Sequence, residues 1–177
     1  AGNMFSDFIK GKKRYDFPPG IQRGITLHRA IDEFTDNHYA TKAARQFFQA
    51  SYGRYSAVFM DVVYDHFLAI DPEQFSDASL MEFSQATYEV LDQYQTLFPE
   101  RFRSIYSYMK EYNWLYNYKK LVGIQRSFEG IAHRALYMSE SNSAFNLFKE
   151  HYTELHKCYD SFFISLKAFA FDTMNSL

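Results

Sequence analysis

The sequence holds a single cysteine, Cys158, which excludes an internal disulfide. No apolar run approaches the roughly 18 residues needed to cross a bilayer, and no signal peptide is visible. A protein of a reducing, cytoplasmic compartment is the expectation. Also absent are a Gly-rich phosphate loop, a paired-cysteine zinc pattern, a nucleophile elbow and an internal repeat. Only 4 Pro and 7 Gly punctuate 177 residues, so long helical stretches run uninterrupted. What abounds is aromatic: 19 Phe and 15 Tyr, within a chain that is 47% hydrophobic and long enough to bury one real core. These features predict an all-α fold, a single-domain multi-helix bundle over residues 1–177.

Two stretches carry polar groups where a core helix should have none. In HRAIDEFTDNH, residues 28–38, His28 and Asp32 stand four apart and share a helix face, with Asp36 one turn further on, and Ile25, Ile31 and Thr35 lie among them. In MDVVYDHFLAI, residues 60–70, Asp61 and Asp65 repeat the spacing and His66 follows, while Val58, Val62, Val63, Phe67, Leu68 and Ala69 leave almost no polar face. A helix apolar nearly all round is normally buried, and each ion in it costs several kcal/mol unless paired, hydrogen-bonded or bound to a cation. Two helices with His and Asp at this spacing point to a divalent metal site of mixed imidazole and carboxylate ligands. The plainer alternative is a set of capping or ion-paired acids and a core histidine.

The net charge of −2 is unevenly spread. Residues 1–30 hold Lys10, Lys12, Lys13, Arg14, Arg23 and Arg29 against Asp7 and Asp16, a local balance of +4, so the rest carries −6. The basic run KGKKRYDFPPG reads as a loop closed by Pro18 and Pro19. It suits an anionic substrate or an acidic partner protein, or is simply a solvated surface.

Helices are expected from Pro19 to about Asp36, over 40–51 to near Gly53, from Arg54 to about Ile70, over 79–98 with Leu80, Phe83, Val90, Leu91 and Tyr94 on one face, over 101–120, and from Gly123 onward. A last helix over about 143–173 carries one apolar seam, Phe145, Phe148, Tyr152, Leu155, Tyr159, Phe162, Leu166 and Phe169. That seam seals the bundle or supports a homodimer. His151 and His156 read as surface or satisfied histidines, and Arg134 as a candidate anion-binding residue.

With these residues in view, the chain resembles the acyl carrier protein phosphodiesterases. The matching stretches are GNMFSDFIKG at 2–11, FPPGIQRGITLHRAIDEFTDNH at 17–38 and MDVVYDHFLAI at 60–70, with weaker agreement through WLYNY at 114–118, the GIAHR run ending at Arg134, and the Phe-rich C-terminal helix. The resemblance implies a helical, distantly HD-type phosphohydrolase that uses Mn²⁺ or Mg²⁺ to cleave the phosphodiester joining 4'-phosphopantetheine to a serine of holo acyl carrier protein, giving the apo protein. It implies Asp7, His28, Asp32, Asp36, Asp61, Asp65 and His66 as active-site residues, with His28, Asp32, Asp65 and His66 expected as metal ligands, Asp7 and Asp61 as catalytic (Asp7 a general base or additional ligand, Asp61 a ligand or its orienter), and Asp36, with Arg134, as a possible addition to the site. It makes Lys10, Lys12, Lys13 and Arg14 the surface that meets the acidic carrier protein, with no nucleic acid or membrane as partner. In the family a short segment with an Asn, an aromatic, Leu, Ala and His precedes the Gly–Asn pair at which this sequence begins, so that segment is expected to be lacking here. A phosphohydrolase acting on a nucleotide or small phosphodiester, and a non-catalytic helical interaction module, are the competing readings.

Overall fold

A computed structural model describes residues 1–134 and 141–177, the side chains of residues 54, 132–134 and 141–143 excepted. Every regular element among the described residues is helical. Pro18 and Pro19 open α1 (Pro19–Asn37), where the N–H that proline lacks would have had no helical partner. His38 then leaves the helix in an extended conformation and caps α2 (Tyr39–Tyr52), its ring Nδ1 accepting from the Ala40 N–H at 3.3 Å. Gly53, at φ +52, ends α2 in a conformation that side chains disfavour. One 3-10 turn leads into α3 (Ser56–Ile70), which stops before Asp71 and Pro72. Reciprocal Ser76 and Ser79 hydrogen bonds cap α4 (Asp77–Asp92). After it come α5 (Glu100–Glu111), α6 (Trp114–Asn117), α7 (Leu121–Arg134), α8 (Ser141–Glu150) and α9 (Tyr152–Ser176).

Three expected elements differ. The helix over 101–120 is broken at Asn113, which adopts a left-handed conformation (φ 42°, ψ 61°) and caps α6 by accepting from the Tyr116 N–H. Asparagine tolerates this region because its short side chain satisfies the local backbone. The C-terminal helix is two helices, interrupted at His151, whose ring stacks on Phe47 at 4.3 Å. The seam nevertheless survives the break: Phe148, Leu155, Tyr159 and Phe162 are buried within the same chain. On α4 the buried line is Leu80, Ser84, Tyr88 and Leu91, whereas Phe83 and Val90 are exposed. One residue of rotation decides this, because the Tyr88 hydroxyl donates to the Met109 carbonyl and so draws the adjacent face inward.

Two apolar cores result. The larger joins α2, α3, α7, α8 and α9 around Phe48, Phe59, Phe67, Phe128 and Phe162. The smaller gathers Phe5, Ile9, Ile21, Ile25, Leu91, Phe98 and Phe102 from the N-terminal segment, α1, α4, the connection after it and α5. Helix α1 belongs to both, with Ile21 and Ile25 in the smaller and Phe34 against the larger. His28 and Asp32 therefore lie on the part of α1 that runs from one core to the other. No helix among the described residues is long and apolar enough to cross a membrane.

Candidate functional site

Asp7 reaches α1 because two glycines let the chain cross it. A Cβ on Gly2 would sit 2.2 Å from the Ile21 carbonyl oxygen, and one on Gly24 would sit 3.0 Å from the Asn3 nitrogen. Backbone lies on backbone at this crossing, and Phe5 and Ile9 then anchor the segment in the smaller core. The Arg29 guanidinium adds a bond to the Ile9 carbonyl at 2.7 Å. Between these fixed points a single 3-10 turn, Ser6–Phe8, holds Asp7 out toward His28.

The result is a three-residue donor group. His28 Nε2 stands 2.9 Å from Asp7 Oδ1 and 3.2 Å from Asp32 Oδ2. One ligand atom from each of the three lies within 4.8 Å of the others, the one such group of acids, histidines and cysteine found among the described residues. Ligands held about 2.1 Å from an octahedral divalent ion are separated by about 3.0 Å at adjacent positions. Both separations from His28 match that edge and the Asp7 and Asp32 oxygens lie within 4.8 Å of each other, so the imidazole and two carboxylates are a donor set suited to a hard or borderline divalent cation.

Electrostatics tie Asp61 to the same group. Burial, then the charges of Asp65, Asp32, Asp7 and Asp36, push its carboxyl up to about 7. Asp65 is also raised to about 7 by burial, against a hydrogen bond from Tyr118. Both keep surface open to the cavity, but protein surrounds them closely enough to deprive the charged form of much of its hydration. Burial would lower His28, but the hydrogen bond to Asp7 and the charges of Asp32, Asp7 and Asp61 outweigh it and raise it. The same bond lowers Asp7, whereas burial raises Asp32 despite its nearness to His28. The His28 proton thus belongs mainly to the pair with Asp7.

Asp7, Asp61 and Asp65 line a cavity of about 970 Å³ that also receives Trp114, Tyr118, Lys120 and Arg126. None of these last four stood out in the sequence except through the WLYNY stretch. The Asn113 break in the chain explains why: it turns the short α6 so that Trp114 and Tyr118 come to this wall.

His66 goes elsewhere. One position beyond Asp65 is about 100° around the helix, and His66 is only 2% exposed, packed toward α9. Its Nδ1 meets the Tyr118 carbonyl at 2.8 Å and its Nε2 the Tyr152 hydroxyl at 2.9 Å, so both nitrogens that could bind an ion are already bonded. His66, expected as a ligand, stands in this structure as a buried cross-link of α3, the end of α6 and α9. Asp36 pairs with Arg45 at 3.3 Å and stands outside the donor group. The Arg134 side chain lies outside the described residues. Lys10, Lys12 and Lys13 are exposed on the turn following Asp7, and Arg14 donates to the Tyr15 hydroxyl; none of the four lines the cavity.

A family model described as acyl carrier protein phosphodiesterase matches residues 1–166. The chain belongs to the acyl carrier protein phosphodiesterase family. Curated members carrying that name include one from Yersinia pestis, 32% identical over 163 residues that cover 92% of this chain and 84% of the relative, and one from Yersinia enterocolitica, 30% identical over 97% of this chain and 89% of the relative. A Shigella boydii member is 31% identical over 95% of this chain and 88% of its own. No solved structure matches the chain.

Proposed function

We propose that this protein hydrolyses the phosphodiester between 4'-phosphopantetheine and a serine of holo acyl carrier protein, with a divalent ion, Mn²⁺ or Mg²⁺, held by Asp7, His28 and Asp32. The observation that carries this reading is the three-donor group at 2.9 and 3.2 Å beside a carboxyl lifted to about 7, in a chain whose relatives bear the phosphodiesterase name. When bound, the ion supplies an acidic water and positive charge against a phosphoryl oxygen.

The side chains divide the remaining work. Asp7, lowered by its bond to His28, is a poor proton acceptor and a good ligand. Asp61 has the opposite character: a carboxyl near neutrality takes a proton from the attacking water and returns it to the departing serine oxygen. Asp65, kept in place by Tyr118, is available from the cavity wall as a further ligand. Tyr118 is itself fixed by His66, whose role is to position rather than to bind. The exposed Lys10, Lys12 and Lys13, with Arg14, are suited to meet an acidic carrier protein and speed its encounter. A single free Cys158 accords with action in the cytoplasm.

An HD-like phosphohydrolase acting on a nucleotide or small phosphodiester would need no carrier protein. Side-by-side turnover of holo carrier protein and of a free phosphodiester tests the two. The proposal expects a specificity constant for the carrier protein that exceeds the small substrate's by orders of magnitude and falls with added salt; equal values would overturn it.

A further inference from the structure

We infer that Lys120 and Arg126 are the residues that grip the substrate's phosphate, and that the wall beside them receives the pantetheine arm. This rests on the phosphodiesterase reading and adds a second charged wall to its site. Both cations line the cavity that holds Asp7, Asp61 and Asp65. Yet no described carboxylate forms an ion pair with either, although neighbouring Lys119 is spent on Asp77. Lys120, with its Nζ 5.4 Å from the Tyr116 ring centroid, and Arg126 thus carry no carboxylate partner among the described residues, and cations and clustered acids facing one cavity leave room for an anion between them. With a divalent ion on the acidic side, a phosphodiester satisfies both walls at once.

The lining between them fits an uncharged arm. Trp114 and Tyr118 offer rings, and Val58 and Val122 expose apolar surface there, 42% and 52% respectively. A volume of about 970 Å³ is at the upper end of ordinary small-ligand sites. Gly130 supplies part of the room. It sits inside α7, where glycine is costly, yet an added Cβ would meet no described atom within 4 Å, so packing among the described residues does not require its smallness.

Trp114 is the sole tryptophan of the chain, so ligand entry is readable in its emission. The full chain, with Mn²⁺ present, is titrated with pantetheine 4'-phosphate and with pantetheine. The phosphorylated ligand is expected to change the emission saturably. A Lys120→Gln, Arg126→Gln double variant should bind it at least about tenfold more weakly, with pantetheine binding weakly and equally to both proteins. Gly130→Leu, whose Cβ meets no described atom within 4 Å, should keep its melting curve and lose the response to both ligands; a lowered melting temperature is checked by Gly130→Ala, which should melt as wild type. Unchanged affinity in the double variant, or no saturable change in wild type, overturns the inference. Turnover of holo carrier protein in the same samples separates the failures. Wild-type turnover with an unchanged Michaelis constant in the double variant sinks the grip and spares the phosphodiesterase reading. Phosphate-dependent binding without any turnover does the reverse.

Discussion

His28 Nε2 stands 2.9 Å from Asp7 Oδ1 across 21 residues of sequence. The contact has a mechanical origin in the crossing of Gly2 over Ile21 and Gly24. Its chemical consequence is a nitrogen that carries a proton when no ion is present and must release it to bind one. Binding of Mn²⁺ should therefore weaken as the pH falls through the raised His28 value, which manganese titrations at several pH values would measure.

The crossing itself is testable. Gly2→Ala places a methyl 2.2 Å from the Ile21 oxygen, which is helix backbone and cannot step aside. The N-terminal segment must move instead, carrying Asp7 with it. A loss of about 1–3 kcal/mol in chemical denaturation is expected, together with a larger fall in manganese affinity than the stability loss alone would cause. Normal manganese binding in this variant would show that the close crossing does not position Asp7.

The two histidines should behave as opposites. His28→Ala removes a partly exposed ion pair and should cost no more than about 1 kcal/mol of stability, while abolishing tight metal binding. His66→Ala leaves the Tyr118 carbonyl and the Tyr152 hydroxyl without their partner and opens a hole in a buried region, which should cost about 2–4 kcal/mol. At a temperature where it stays folded it should keep one manganese per chain. Loss of that manganese with stability intact would restore His66 as a ligand.

Most of the bundle was legible because helical period and helix stops are local. Proline at 18, 19 and 72 and glycine at 53 bound the expected helices within a residue or two. The breaks at Asn113 and His151 were not, since neither residue is a strong stop signal and tertiary packing decides both. The faces of α1 and α3 gave His28, Asp32, Asp61 and Asp65 from spacing alone. Asp7 came only by resemblance, because its partner lies 21 residues away and nothing in its own neighbourhood marks it. The buried place of His66 was not legible, because adjacency to Asp65 in sequence is a turn of about 100° in space. Lys120 and Arg126 were invisible as cavity residues until α6 and α7 were placed.

Asp61 makes a prediction about stability and pH in the metal-free protein. Its folded value, about 7, lies above the ordinary 3.8, so the folded state holds its proton more tightly than the unfolded state does. The stabilising contribution is full below about pH 4 and is lost as the pH rises toward 7. Water in the cavity screens the charge, so the loss should be on the order of 1 kcal/mol. Asp61→Asn should remove that part of the pH dependence and be the more stable protein at pH 8. Parallel denaturation curves at both pH values would contradict the burial of this charge.

The basic turn after Asp7 should matter to encounter alone. Reversing Lys10, Lys12, Lys13 and Arg14 to Glu should lower kcat/KM for the carrier protein about tenfold or more at low salt and much less at high salt. Turnover of a small phosphodiester should be untouched. An equal loss at both salt concentrations would point to damage within the site rather than to docking.

In the proposed reaction the Asp7, His28 and Asp32 group carries phosphodiester hydrolysis on a protein substrate. The most direct measurement is the mass of holo acyl carrier protein after incubation with this protein and Mn²⁺, beside an Asp32→Ala control of equal fold. Loss of the phosphopantetheine mass with wild type, and its retention with Asp32→Ala or with a chelator, is the predicted result. Equal loss with the variant, or an unchanged carrier mass with wild type, would contradict it.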